Sequence, residues 1–406
     1  MPGGLQVADN NNADRHLHFN LIPPIITKDL IVPLEVRYIK QLDSLRAIAV
    51  FLVVIWHWIP RNSIIERLHT GSFGVNIFFV LSGFLITRIL LFNRRDAEDS
   101  MSSKVKILKH FYARRMLRIF PIYYLTILLA IILNQQFTLG VTKNEILSNL
   151  TYTTNFYIYF TQSWPSSSLH FWSLAVEEQF YLAWPLLMLF WPKKYLVPIF
   201  LVSIFTGLSS QLLLPNVEFG HLPTITCFDC FGAGGLLAFV TVHYYRFLQK
   251  AYRLLTLLSV FALTALALSW QSDFYFSCTR FFHTIISCWM ISHVLIYKNK
   301  KSPLIWILNS RLLISIGKIS YGVYLYHILF VYIASHLWYN YVFDYYEPFI
   351  DKLYEPWIFL AINFWVLCFV AWLSWKFIEK PILSFKRKFK YPVVRKEINM
   401  QLAEAS

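Results

Sequence analysis

Asp43, Arg46 and His57 stand in the stretch LDSLRAIAVFLVVIWH, residues 42 to 57, which is otherwise almost wholly apolar. An ionisable group held in hydrocarbon costs on the order of 2.5–3.5 kcal/mol on insertion scales, so each of the three needs a compensating partner. On a helix turning about 100° per residue, Arg46 and His57 fall within ~20° of each other and Asp43 within ~40° of His57. The three therefore share a face, which should look onto protein or a wet cavity. Asp43 and Arg46 can pair locally at i,i+3, whereas His57, about 16 Å from Arg46 along the axis, needs a partner from another segment. An imidazole is suited to take up a proton near neutral pH, and it is equally suited to bond a backbone carbonyl across helices; the stretch alone leaves both readings open.

Further polar residues interrupt other apolar runs. HFWSLAVEEQFYLAWP contains His170, Trp172, Ser173, Glu177, Glu178 and Tyr181. Ser173, Glu177 and Tyr181 repeat at i,i+4 and form one helical face, and Glu178 points about 100° away. In RRMLRIFP, residues 114 to 121, Arg114 and Arg118 are i,i+4 neighbours and Arg115 and Arg118 are i,i+3. A short helical turn there presents a fork of guanidinium groups suited to phosphates, or serves only as a positive stop on the cytoplasmic side. ISYGVYLYH places Ser320, Tyr324 and His327 on one segment, with Tyr324 and His327 sharing a face. GSFGVNIFFVLSGFLIT supplies Gly71, Gly74, Gly83 and Ser82, small residues that let helices approach closely or leave a passage. Cys227 and Cys230 are spaced as C-x-x-C with no second Cys or His pair nearby, so they read as small buried residues and no metal site is expected.

The elements that must position these groups are membrane helices. The 406 residues are 57% hydrophobic and only 15% charged, with a mean hydropathy of +0.49, which places the chain among integral membrane proteins. About ten stretches are long enough to cross a ~30 Å hydrocarbon core: near 45–60, 73–92, 119–134, 173–191, 195–213, 226–242, 253–270, 280–297, 318–337 and 357–376. Alternating sides leaves about thirty of the 37 basic residues on one face and about four (Arg61, Arg67, Lys143, Lys352) on the other. That asymmetry predicts both termini in the cytoplasm. The net charge of +15 follows the membrane rather than one groove, so a nucleic-acid partner is not expected. Residues 1–37 are polar, lack a signal-peptide core and read as a disordered cytoplasmic leader; 38–380 form the membrane domain, and 381–406 a basic cytoplasmic tail lying against anionic lipid. The outer loops, near 135–170 and 338–356, are too short for folded domains, the second being acidic with Asp344, Glu347, Asp351 and Glu355.

Taken in order, LDSLRAIAVFLVVIWH, GSFGVNIFFVLSGFLIT, FYARRMLRIFPIYYL, HFWSLAVEEQFYLAWPLL and ISYGVYLYHIL resemble the membrane-bound acyltransferase family 3 over about residues 38 to 380. The resemblance implies a ten-helix protein that takes an acyl group, most often acetyl, from cytoplasmic acyl-CoA and places it on a hydroxyl of a surface carbohydrate or glycolipid, such as lipopolysaccharide O-antigen or exopolysaccharide. It implies a multi-pass protein of the bacterial inner membrane, without room in this chain for the SGNH hydrolase-like domain that many members carry.

By that resemblance His57 is the catalytic base and Glu177, the first Glu of its pair, the carboxylate that orients His57 or binds the acceptor. Arg46, Arg114, Arg115 and Arg118 are the candidates for holding acetyl-CoA. His170, Trp172, Ser173, Glu178, Tyr181, Tyr324 and His327 are candidates for the acceptor side. The rival reading is a transporter that moves a glycan, lipid or acyl donor without chemistry, since buried ionisable residues serve that too. Oligomeric state has no signature in the sequence.

Overall fold

A computed structural model describes residues 38–60, 69–95, 97, 101–165, 167–214, 219–268, 273–338 and 355–391. The leader, the outer residues Arg61, Arg67 and Lys352, the acidic residues Asp344, Glu347 and Asp351, and the tail beyond 391 lie outside the described residues. The chain runs through α1 (Lys40–Trp58), α2 (Thr70–Arg95), α3 (Met101–Phe137), two short helices α4 (Lys143–Leu150) and α5 (Thr154–Thr161), then α6 (Phe171–Phe190) and α7 (Leu196–Leu213). It continues through α8 (Phe228–His243), α9 (Tyr245–Leu268), α10 (Asp273–Tyr297), the short α11 (Pro303–Leu308), α12 (Arg311–Leu337), α13 (Pro356–Ser374) and the short α14 (Lys380–Ser384). No strand occurs among the described residues. The protein is an all-α, polytopic membrane protein, and each of the ten apolar stretches lies on one of its long helices. Among the described residues, eight segments are long and apolar enough to cross a membrane by length and composition; α6 and α10 are not among them. Those two carry Glu177 and Glu178, and Arg280 and His283, among their polar residues.

α1, α2, α8 and α12 form the centre and α9 the periphery. α2 packs most extensively on α8 and α1, and α1 on α12. α9 turns Leu257, Phe261 and Leu268 outward, at 71%, 63% and 80% exposure, which is the surface a helix offers to lipid. Gly83 and Gly317 stand at two close helix crossings. A Cβ on Gly83 would lie 2.5 Å from the Phe231 carbonyl oxygen of α8, and one on Gly317 would lie 1.9 Å from the Asp43 carbonyl oxygen of α1. Side chains larger than hydrogen would force both helix pairs apart. The second crossing sets α12 against α1 close to Arg46.

One expectation changes at α3: the chain is helical from Met101, and RRMLRIFP lies inside one 37-residue helix rather than in a short separate turn. Pro121 does not end it; the Tyr321 hydroxyl of α12 donates to the neighbouring Ile119 carbonyl at 3.0 Å and ties the helix there. At ~1.5 Å per residue the helix is about 55 Å long, well beyond the hydrocarbon core, so its first half projects past the membrane.

The segment expected as an outer loop near 135–170 carries the two short helices α4 and α5. Thr142 and Glu145 form a capping box at the start of α4. The Ser168 hydroxyl donates to the Glu145 carboxylate at 2.5 Å. Burial pushes this carboxyl above its usual range, against the pull of its bonds to Ser168 and the Thr142 backbone.

Candidate active site

One cavity gathers residues from five helices and encloses about 820 Å³ of space free of atoms, part of it open to solvent. α1 contributes Arg46, α3 contributes Arg115 and Arg118, and α6 contributes Ser173, Glu177, Glu178 and Tyr181. α2 adds Ser82 with Phe78 and Phe79, and α12 adds Ser320, Tyr321 and Tyr324. The i,i+4 face of α6 thus opens onto a single space together with three guanidinium groups, while Glu178, although about 100° round the helix, also reaches the wall.

Each charged group is held differently. Arg46 pairs with Asp43 at 2.9 Å, as the i,i+3 spacing predicts, and Asp43 also accepts from the Tyr38 hydroxyl. Arg115 lies over the Tyr181 ring, 4.7 Å from its centroid, a cation–π contact that fixes the guanidinium on the cavity wall. Glu177 accepts from the Ser82 hydroxyl at 2.9 Å and the Tyr181 hydroxyl at 3.0 Å. With three arginines facing two carboxylates, the cavity suits an anionic ligand, and planar guanidinium groups match the oxygens of phosphate.

The histidines form a separate cluster behind this cavity. His57 Nδ1 lies 2.9 Å from the Val53 carbonyl and 3.1 Å from His327 Nε2. His327 Nδ1 lies 2.6 Å from the Tyr324 carbonyl, and His170 Nε2 lies 3.1 Å from the Leu325 carbonyl. The rings of His57 and His170 stand 4.9 and 4.6 Å from that of His327. Tyr324 and Ser173 join the two regions: their hydroxyls are 2.5 Å apart, Tyr324 also donates to the His170 carbonyl at 3.2 Å, and its ring is 5.6 Å from His327. They line the cavity on one side and support the histidines on the other.

The expected pairing of Glu177 with His57 is not what the structure places there; among the described residues the partners of Glu177 are Ser82 and Tyr181, and His57 meets His327. His170, at the start of α6, reaches the histidine cluster, and Glu177 lies seven residues further along, about 10 Å down the axis. Arg114 also leaves the set expected around the donor. Its guanidinium donates to the carbonyls of Lys386 and Phe389 at 3.3 Å and lies over the Tyr391 ring, so it fastens α3 to the segment after α14. Trp172 packs edge-on against Phe79 and His221 and is not part of the cavity wall. Gly74 and Gly83 serve helix packing, as their size suggests. Ser82 and Tyr321 are wall residues that spacing alone did not single out, although Ser82 among the glycines of α2 was a visible polar exception.

The family model described as "Acyltransferase domain" (family 3) matches residues 39–376. The chain belongs to the membrane-bound acyltransferase family 3. The peptidoglycan O-acetyltransferase OatA of Listeria monocytogenes is 34% identical over 186 residues, covering 42% of this chain and 28% of that protein. A protein of Staphylococcus aureus (strain COL), SACOL0978, named as a candidate O-acetyltransferase, is 28% identical over 381 residues, covering 86% of this chain and 58% of its own length. The chain therefore spans between about a quarter and three fifths of the length of these relatives. No solved structure matches it.

Proposed function

We propose that the protein is an O-acetyltransferase that moves an acetyl group from acetyl-CoA, held at the arginine end of the cavity, to a hydroxyl of a cell-envelope carbohydrate. The observation that carries this reading is the convergence of Arg46, Arg115 and Arg118 on one cavity whose partition, Tyr324 and Ser173, is bonded to the histidine cluster. The arginines would hold the phosphates of CoA and direct its thioester towards that partition. The acceptor hydroxyl gives its proton to His57 as its oxygen bonds to the acyl carbonyl carbon; the carbon–sulfur bond then breaks and His57 returns the proton to the departing thiolate. The products are the O-acetyl ester and CoA with a free thiol. In this reading the protein lies in a bacterial inner membrane with both termini in the cytoplasm, where acetyl-CoA is made, and the acceptor enters from the opposite face. Peptidoglycan is the first acceptor to try, because OatA of Listeria is named for it; lipopolysaccharide and exopolysaccharide follow.

Membranes carrying the wild-type chain or His57→Ala, incubated with radiolabelled acetyl-CoA and peptidoglycan oligosaccharides, test the reading. Base-labile label should enter the glycan with the wild type and drop to the level of empty membranes with the variant, at equal amounts of inserted protein. Equal labelling by both proteins rejects His57 as the base. Movement of glycan across the membrane without label in any acceptor would favour the transporter.

A further inference from the structure

The three histidines hold a pattern of protons that can be read from their partners. A carbonyl oxygen only accepts hydrogen bonds, so a ring nitrogen bonded to a carbonyl carries the hydrogen. His327 Nδ1 faces the Tyr324 carbonyl at 2.6 Å, which leaves Nε2 of a neutral His327 ring with a bare lone pair. That lone pair is 3.1 Å from His57 Nδ1. His57 Nδ1 in turn faces the Val53 carbonyl at 2.9 Å and so carries its own hydrogen, shared between that carbonyl and His327. The basic nitrogen of His57 is then Nε2, which makes no hydrogen bond among the described residues. His170 closes the opposite side, its Nε2 hydrogen given to the Leu325 carbonyl and its ring edge-on to His327. His327 is fully buried and His57 is half-buried, so the ring whose Nε2 is left bare is the more accessible of the two.

We propose that His327 is a positioning residue: its Nε2 accepts from His57 Nδ1–H, holds His57 in the tautomer with Nε2 free, and strengthens that bond as His57 becomes an imidazolium. No carboxylate is hydrogen-bonded to His57 among the described residues, and Glu177 is engaged by Ser82 and Tyr181, so the neutral imidazole of His327 occupies the place an acidic group takes in a nucleophile–histidine–acid triad. A neutral partner has a consequence of its own. It orients the base without adding a second net charge to a site built between apolar helices. This inference rests on His57 being the base of the proposed transfer.

The test compares four variants in membranes with radiolabelled acetyl-CoA and peptidoglycan oligosaccharides, with rates divided by the amount of inserted protein. His327→Leu removes the acceptor nitrogen and should lower kcat about tenfold to a hundredfold with KM for acetyl-CoA within about twofold. His327→Gln restores an accepting oxygen near the position of Nε2 and should recover most of that loss, which a space-filling role would not produce. His57→Ala with His327→Leu should be no slower than His57→Ala alone, because the second change acts only through the first. Wild-type kcat in His327→Leu, failure of Gln to rescue, or a further loss in the double variant each overturns the positioning role. If His327→Leu does not insert, the Gln variant decides: a rate near wild type supports the role and a rate as low as that of His57→Ala rejects it. Full activity of His57→Ala itself would reject the base assignment instead, and is read separately from these outcomes.

Discussion

Among the described residues, arginines stand near carboxylates in the cavity and between α8 and α10, and the two places differ in what surrounds the charges. In the cavity, Arg46, Arg115 and Arg118 line open space with Glu177 and Glu178. In the second place, Arg280 of α10 lies close to Asp229 of α8 in a region filled by protein: Arg280 donates to the His221 carbonyl at 2.9 Å and to the Cys227 sulfur at 2.6 Å. Thr284 donates to Asp229 at 2.9 Å, and Asn76 donates to the Arg280 carbonyl at 3.0 Å. Even the backbone is tight there, since a Cβ on Gly207 would lie 2.3 Å from the Asp229 nitrogen. Charge between membrane helices is therefore not by itself the mark of a site. Room beside the charge is what separates the two, and the cavity leaves guanidinium faces for a ligand.

The comparison can be broken most directly at Arg280. Arg280→Ala removes the donor to the His221 carbonyl and to the Cys227 sulfur inside a filled region, at a cost of about 1–3 kcal/mol for each buried acceptor left unsatisfied. The amount of monodisperse protein extracted from membranes should fall sharply, and wild-type yield would show that the second cluster is not structural. At the cavity the same change should act on binding. Arg118→Ala is expected to leave the yield near wild type and raise KM for acetyl-CoA about tenfold, equivalent to about 1.4 kcal/mol. Arg114→Ala, outside the cavity, should leave that KM within about twofold, and a tenfold rise there would return Arg114 to the donor site.

The smallest effect belongs to Glu145, outside the membrane helices. Its carboxyl titrates higher in the folded protein than in the unfolded chain because it is buried. The native state therefore binds the extra proton, and stability declines as pH rises from the ordinary carboxylate range through the higher folded value. Glu145→Gln should flatten that decline, read as the change in Tm in detergent between about pH 4 and pH 7; an unaltered slope would show that Glu145 does not control it.

Much of this arrangement was legible in the residues themselves. Apolar length placed every long helix, and the i,i+4 repeat put Ser173, Glu177 and Tyr181 on one wall. The Asp43–Arg46 pair followed from spacing alone. What the sequence hid were relations between helices. Glu177 and His57 are both ionisable, but the rotation of α6 carries one to Ser82 while the helix start carries His170 towards His327. Arg114 and Arg118 are one turn apart, and a lateral neighbour, the segment around Lys386 to Tyr391, captures only the first. The Tyr321 bond to the Ile119 carbonyl ties α3 beside Pro121, whose ring removes a backbone donor, and the helix continues through it.

The crossing at Gly317 sets a length as well as a contact. Arg46 and His57 ride on α1, and His327 rides on α12, which crosses α1 at Asp43, so one helix crossing sets Arg46 relative to the imidazole pair. In the proposed transfer, their separation of about 16 Å along the axis is a length that a flexible donor would have to span. A thioester on a much shorter arm, gripped by the same guanidinium groups, would stop short of the imidazole. Selection of the donor in that case would rest on reach as much as on recognition of its head.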